Sequence, residues 1–231
     1  MVAFVPDNHL WFPPIENADE DGLVAITLDF SIERILLGYQ SGLFPWFEKE
    51  GLYHWFAPNP RCVLFPNELK VSKSMKQVLK KNEFTFRVNT SFVNVMINCA
   101  NVARKPVFMN GILYPNDSTW ITQSFLDAYS NLHQLGFVIC GEAWQDNQLV
   151  GAVYGVHIGK VLYGESMFAS KTNASKFAFI KLIEYLMANH DLQLIDCQQP
   201  SPHLLSLGAR TIPITDFKNL LEKYVGQIII A

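Results

Sequence analysis

The stretch from residue 137 to 198 constrains the fold more than any other part of the chain. Three apolar runs, FVICGEAW, LVGAVYGVHIG and KVLYGESMF, follow one another with short polar connections such as QDNQ. Runs of this kind joined by tight turns predict three antiparallel strands. The segment NASKFAFIKLIEYLMANH then predicts a long buried helix, and LQLIDCQ a buried strand. Helices are expected near 203–207 and 215–224. A meander followed by helix, strand and helix makes a mixed α/β layer.

The chain before this meander reads differently. The first sixty or so residues are dense in Pro, Gly and aromatics, as in WFPP, GLFPWF and HWFAPNPR. Between them Ser31 can cap a short helix, IERILLGYQ, that stops at Gly42. This predicts a compact, turn-rich unit with one good helix. CVLFP predicts a strand, Ser72 a cap for the helix KSMKQVLKK, and Thr90 a cap for a helix through Phe92, Met96 and Cys99. Residues 104–118 carry two Pro, a Gly and two Asn and read as an irregular insertion. Thr122 opens a further helix that stops at Gly136. A soft boundary near residue 68 divides a small N-terminal domain, 1–68, from a larger one, 69–231. The fold class is α+β in this mixed sense.

Composition narrows the function. The net charge is −3 and hydrophobic residues make up 49% of 231. That gives a sizeable core and argues against a globally basic nucleic-acid binder. No apolar run approaches the roughly 18 residues of a membrane span, so no membrane partner is expected. The cysteines, Cys62, Cys99, Cys140 and Cys197, are far apart with no C-x-x-C, and the histidines form no H-x-x-x-H. No metal site is expected.

Several residues can carry chemistry. Asp196 and Gln198 in LIDCQ are two apart in a strand and would share a face. A carboxylate and an amide there could hold or deprotonate an amine and orient an acyl group; alternatively they meet solvent at a strand end. Glu165 interrupts an apolar strand; if buried it needs a partner or a raised pKa, and it either faces a polar cleft and binds a cation or amine or lies at an edge facing water. Glu142 poses the same question, and an edge position facing water is the simpler answer. Trp46 and Trp120 lie in turn-rich segments, as core or as stacking platforms for bases. Trp55, Phe56 and Phe47 read as packing. Lys73, Lys76 and Lys80 share a helix face that is either solvated or set against phosphates.

Taken in order, WFPP, DFSIERILLGYQSGLFPWF, HWFAPNPRCVLFP, STWIT, LVGAVYGV, YGESMF, NASK, IDCQ and SLGA resemble the leucyl/phenylalanyl-tRNA–protein transferases over residues 11 to 217. The resemblance implies a small N-terminal domain packed on a GNAT-like acyltransferase domain. It implies transfer of Leu or Phe, and in some members Met, from aminoacyl-tRNA to an N-terminal Lys or Arg of an acceptor protein, marking it for N-end-rule degradation. It implies a cytoplasmic bacterial enzyme, expected as a monomer, with no cofactor, because the ester is already activated. It places Trp46 and Trp120 at the tRNA 3′ adenosine and Asp196, Gln198 and Glu165 at the reacting centre, with Asp196 positioning or deprotonating the amine, Gln198 orienting the ester or its oxyanion, and Glu165 helping to hold the cationic acceptor end. Val153, Leu162, Met167 and Ile195 would form the aminoacyl side-chain pocket. In a regular strand Leu162 and Glu165 face opposite ways, so a bulge is expected near Gly164. The competing readings are a GNAT-like N-acyltransferase with a CoA donor, against which SKTNASK lacks a glycine-rich pyrophosphate turn, and a non-catalytic relative that binds tRNA or peptide N-termini.

If the lysine stripe meets tRNA phosphates, replacing Lys73, Lys76 and Lys80 together by Ala will flatten the slope of log affinity against log salt by about 2 to 3. Filter binding across a salt series measures it, and an unchanged slope returns the helix to a solvated face.

Overall fold

The structure, a computed structural model, describes residues 2–102, 107–109, 112–114 and 119–226. The predicted meander is present as β9 (Val138–Gln145), β10 (Gln148–Ile158) and β11 (Val161–Ala169). These are the middle of a seven-stranded sheet. Its order is β13 (Arg210–Ile212), β5 (Arg61–Leu64), β12 (Leu194–Gln198), β11, β10, β9, β6 (Thr85–Val88). All neighbours are antiparallel except β11 and β12. That parallel ladder holds only three pairs and ends at Tyr163 and Asp196, although β11 continues to Ala169. The space beyond the last pair is where the site forms.

One face of this sheet is covered by α5 (Ala174–His190), which buries Phe177, Phe179, Ile180, Leu182, Ile183 and Leu186. Glycine lets the helix lie close. A Cβ at Gly141 would stand 2.8 Å from Leu182 Cβ, and one at Gly151 would stand 2.6 Å from Ala174 Cβ. The helix α2 (Lys73–Lys80) adds Met75 to this side. Ser72 Oγ accepts from the Met75 N–H at 3.2 Å, as the capping pattern predicted.

The opposite face is covered by α3 (Phe92–Ala100), α4 (Gln123–Gln134) and the N-terminal unit. That unit holds the predicted helix, α1 (Ile32–Gln40), with Ser31 as its cap. It also holds a four-stranded sheet that the aromatic- and proline-rich pattern had concealed. The order is β1 (Ala3–Val5), β2 (Leu23–Thr27), β4 (Leu52–Phe56), β3 (Phe44–Lys49). Trp55 is buried there and its indole N–H donates to Thr27 Oγ1 at 2.9 Å. A single apolar cluster runs from this sheet through α3 and α4 to the seven-stranded sheet. The strand β5, on the N-terminal side of residue 68, pairs within the larger sheet. The remaining helices are α6 (Pro202–Ser206) and α7 (Ile214–Tyr224).

Two expectations change. The N-cap of α3 is Ser91, one residue later than expected. The reason is Glu142, which does not face water. It is buried and accepts from the Thr90 N–H at 2.8 Å, the Ser91 N–H at 2.7 Å and the Trp144 indole at 2.8 Å. The Thr90 hydroxyl and the Cys140 thiol also donate to it. A carboxylate from β9 thus serves the N-terminus of α3, where free N–H groups and the helix dipole favour negative charge. Of the insertion at 104–118, the structure describes two short antiparallel strands, β7 (Val107–Met109) and β8 (Ile112–Tyr114). The rest of it lies outside the described residues.

Glu142→Ala would leave several buried donors unpaired, each a cost of about 1–3 kcal/mol. A loss of about 3 kcal/mol or more is expected in urea unfolding of the purified chain.

Candidate active site

The end of the β11–β12 ladder opens into two adjoining cavities. The larger, about 300 Å³, has apolar walls that include Val153, Met167, Phe179, Ile195 and Leu204. The smaller, about 140 Å³, is lined by Phe44, Pro45, Trp46 and Gln199. Trp120, Glu165, Cys197 and Gln198 border both. The sequence-predicted residues therefore separate. Trp46 and Trp120 share the smaller cavity. Val153, Met167 and Ile195 share the larger. Leu162 lies one step behind, buried and paired with Ile195, and is not among the lining residues. Lys73, Lys76 and Lys80 are exposed on α2, away from its buried Met75.

A bulge builds the shared wall. On β11 the register passes from Gly164, opposite Gly155, to Ser166, opposite Tyr154, so Glu165 is the extra residue. A bulge was expected beside Gly164 if Leu162 and Glu165 were to reach one site; the bulge is present, although Leu162 is not among the lining residues. The bulge reverses the alternation of side chains along the strand. Tyr163 and Phe168 belong to the cluster shared with the N-terminal unit, Leu162 and Met167 to the face under α5. A second irregularity falls between Asp196 and Gln198 on β12. Gln198 there adopts a left-handed backbone, φ 59°, which few residues other than Gly occupy without support.

Asp196 supplies that support. Its Oδ1 accepts the Gln198 N–H at 2.9 Å. The same carboxylate takes a two-pronged hydrogen bond from Arg61, Nε to Oδ1 at 2.8 Å and Nη2 to Oδ2 at 2.6 Å. Both side chains are wholly buried. The guanidinium lies 4.8 Å from the Phe44 ring centroid and 4.7 Å from that of Phe217, a stacking that suits a planar, weakly hydrated cation. Asp196 is not among the residues lining either cavity. Asp196 and Gln198 do not present a common face, because the bulge turns Gln198 away.

Gln198 instead reaches Glu165, donating from Nε2 to Oε1 at 3.0 Å. Glu165 also meets two buried phenols, Tyr39 of α1 at 2.8 Å and Tyr129 of α4 at 3.2 Å. Burial pushes the Glu165 carboxyl up to about 8; the phenol hydrogen bonds oppose that rise, and the Asp196 charge adds to it. At the rim of the larger cavity stands His203, on α6. Burial and the nearby Lys176 hold its imidazole below the usual range, so it is neutral at pH 7. Among the described residues no group of three or more His, Cys, Asp or Glu side chains could hold a metal ion.

Sequence reasoning did not find Arg61, Tyr39, Tyr129, Phe179 or His203 as parts of this site. Arg61 carried a signal in hindsight. A buried strand bearing Asp196 needs a cation, and few basic residues sit within apolar runs as Arg61 does in PRCVLF.

Removing one partner of a buried ion pair strands the other's charge, at about 3–5 kcal/mol. Arg61→Ala and Asp196→Ala should each lose stability of that order in urea unfolding. Arg61→Met combined with Asp196→Leu should lose less than the sum of the two.

The chain is similar to known proteins along nearly its whole length. A family model described as leucyl/phenylalanyl-tRNA protein transferase matches residues 63–222. A model of the N-terminal domain of the same family matches residues 28–59. A protein of Syntrophobacter fumaroxidans named leucyl/phenylalanyl-tRNA–protein transferase is 43% identical over 229 residues, covering 99% of this chain and 94% of that protein. A protein of the same name from Flavobacterium johnsoniae is 44% identical over 213 residues, covering 92% and 96%. Another from Nitrosomonas eutropha is 43% identical over 218 residues, covering 94% and 88%. With both family models matched and relatives at this identity along nearly the whole chain, the protein belongs to the leucyl/phenylalanyl-tRNA–protein transferase family.

Proposed function

We propose that this chain transfers Leu or Phe from aminoacyl-tRNA to the N-terminal Lys or Arg of acceptor proteins, with Met as a further donor to be tested. The observation that carries this reading is the pair of cavities with one common wall. An aminoacyl-adenosine has an aromatic base at one end, an apolar side chain at the other and an ester between them. The smaller cavity offers two tryptophans for the base, and each stacked base contributes about 1–3 kcal/mol. The larger offers apolar walls for the side chain. The ester then falls at the wall formed by Trp120, Glu165, Cys197 and Gln198.

At that wall the acceptor's α-amine attacks the ester carbonyl carbon, and the ribose oxygen leaves. The ester is already activated, so positioning supplies most of what is needed, about 7–11 kcal/mol in the best cases. Gln198 orients the ester or its oxyanion. Asp196 acts through Gln198, by fixing its backbone, and Arg61 fixes Asp196. Leu162 shapes the larger cavity from behind Ile195. The exposed lysines of α2 carry tRNA phosphates.

The larger sheet supports a GNAT-like reading, because its central parallel strands part after three pairs and the cavities open in the gap. Attachment of Leu or Phe to a basic N-terminus would create an N-end-rule degradation signal. The work would be done by a monomer in the bacterial cytoplasm, where charged tRNA is made.

The test is transfer of labelled Leu, Phe and Met from their charged tRNAs to a peptide with N-terminal Arg and to one with N-terminal Ala. Transfer to the Arg peptide alone is expected, and no transfer from any donor overturns the reading. Trp120→Ala should weaken aminoacyl-tRNA binding by about 5- to 150-fold, the equivalent of one lost stacking contact. Unchanged affinity would remove Trp120 from the adenosine site.

A further inference from the structure

Two of the four cysteines, all of them free thiols, meet at the shared wall. On β5 the side chains of Cys62 and Leu64 pack on the α5 side of the sheet, and so do those of Ile195 and Cys197 on β12. The two strands are antiparallel neighbours, with Ile195 opposite Leu64 and Asp196 opposite Val63. One more step of a regular ladder would set Cys197 opposite Cys62. The bulge sets Gln198 there instead, so Cys197 is the extra residue and both stand across from Cys62. Residues opposite each other in an antiparallel pair have Cα atoms about 4.5–5.5 Å apart, inside the roughly 4.4–6.8 Å that a disulfide spans. The thiols also meet: a hydrogen bond between them lowers the pKa of Cys62 and raises that of Cys197, so Cys197 is the donor.

The two differ in access. Cys197 borders both cavities, whereas Cys62 is wholly buried and borders neither. We propose that Cys62 and Cys197 are a site of reversible oxidation, at which a hydroperoxide that enters the cavities closes a disulfide between β5 and β12 and slows transfer. The effect on transfer rests on the function proposed above. With hydrogen peroxide, the Cys197 sulfur bonds to one peroxide oxygen as the oxygen–oxygen bond breaks. The other oxygen leaves as water, carrying the Cys197 thiol proton, and Cys197 is left as a sulfenic acid. The Cys62 sulfur then bonds to the Cys197 sulfur, and the sulfenic oxygen leaves as a second water with the Cys62 proton. The two thiols together lose two electrons and two protons, and the peroxide that takes them becomes two waters.

The order of the steps follows from access, because the cavities reach Cys197 alone. The lowered pKa of Cys62 suits it to the second attack, in which a thiolate is the nucleophile. The raised pKa of Cys197 slows the first, so the site answers to sustained oxidant. Closing the bond brings the two Cβ atoms to about 3.5–4.5 Å and turns the Cys197 sulfur from the cavity wall toward β5. Gln198, the next residue, holds a left-handed backbone and donates from Nε2 to Glu165 at 3.0 Å. A displacement of about 1 Å at a reacting centre costs about 10²-fold in rate. Cys99 and Cys140 belong to the cluster on the other face of the sheet and line neither cavity. The Cys140 thiol donates to Glu142, and burial pushes its pKa up. These two cysteines are internal controls.

The experiment treats the full chain with hydrogen peroxide. It follows the intact mass, the cysteine-bearing peptides and transfer of labelled Leu to the peptide with N-terminal Arg. The chain is expected to lose two hydrogens and to yield one peptide pair joined through Cys62 and Cys197, with Cys99 and Cys140 still thiols. Transfer should fall about 10²-fold, and dithiothreitol should restore both mass and activity. Cys62→Ala should start with wild-type activity, because Cys62 touches neither cavity. Under peroxide it should gain oxygen at Cys197 in place of the disulfide, and oxidation past the sulfenic acid is not reversed by dithiothreitol. Cys62→Ser should behave as Cys62→Ala does, which separates the lost thiol from any loss of packing. Exposed Met187 gauges the dose. Cys62 and Cys197 both still thiols after Met187 has become the sulfoxide overturns the proposal. So does a Cys62–Cys197 disulfide that leaves transfer intact, or a loss of transfer that dithiothreitol reverses equally in Cys62→Ala. If the untreated chain transfers nothing while the disulfide forms and reduces, the effect on transfer falls with the function and the oxidation site stands.

Discussion

The buried ion pair between Arg61 and Asp196 is the interaction on which the rest of the site depends. A charge pair taken out of water pays a large desolvation cost. Here the geometry offsets part of it, with two parallel hydrogen bonds, a third to the Gln198 N–H and the Phe44 and Phe217 rings close to the guanidinium, while Arg61 Nη1 has no hydrogen-bond partner among the described residues. The rings come from different places. Phe44 belongs to the four-stranded sheet, Phe217 to the last helix, Arg61 to β5 and Asp196 to the centre of the larger sheet. One ion pair therefore sets the N-terminal unit, the C-terminal helix and the core strand in register. Phe44 is also two residues from Trp46, so the same contact places a wall of the smaller cavity.

The site is made by two departures from regular strand geometry. The extra residue in β11 brings Glu165 to the cleft and the left-handed residue in β12 brings Gln198 to it. Neither would persist without partners. Glu165 is held by phenols from two helices, and Gln198 is held at its N–H by Asp196 and at its amide by Glu165. A left-handed backbone at Gln198 and a carboxyl pushed up by burial at Glu165 meet at one wall, while the strands on either side are ordinary apolar ladders.

Much of this was legible in the chain. The meander, the long helix after it and the strand LIDCQ follow from apolar periodicity, and Ser31 and Ser72 cap the helices they were expected to cap. The bulge near Gly164 was expected from placing Leu162 and Glu165 at one site, and it is present although Leu162 lies behind that site. Glu142 was misread because a carboxylate in a strand has no local sign of its partner. The helix-terminal partners it serves, Thr90 and Ser91, lie about fifty residues earlier. The small N-terminal sheet was hidden because its strands are short, one of them carries Pro45, and Pro and Gly crowd the segments between them. Leu162 was placed in the pocket, but the ladder ends one pair beyond it, and where a ladder ends is not a property of either strand alone.

The sequence by itself determined the elements, the apolar faces and the residue types that the chemistry needs, because these depend on neighbours a few positions apart. It also determined the family, through motifs held in order along nearly the whole chain. Only the tertiary structure decided what each polar group does. Arg61 and Asp196 are 135 residues apart, and Tyr39 and Glu165 are 126 apart. Whether a carboxylate is an ion-pair partner, a helix cap or an acceptor for buried phenols depends on the groups folded against it and on the water they exclude.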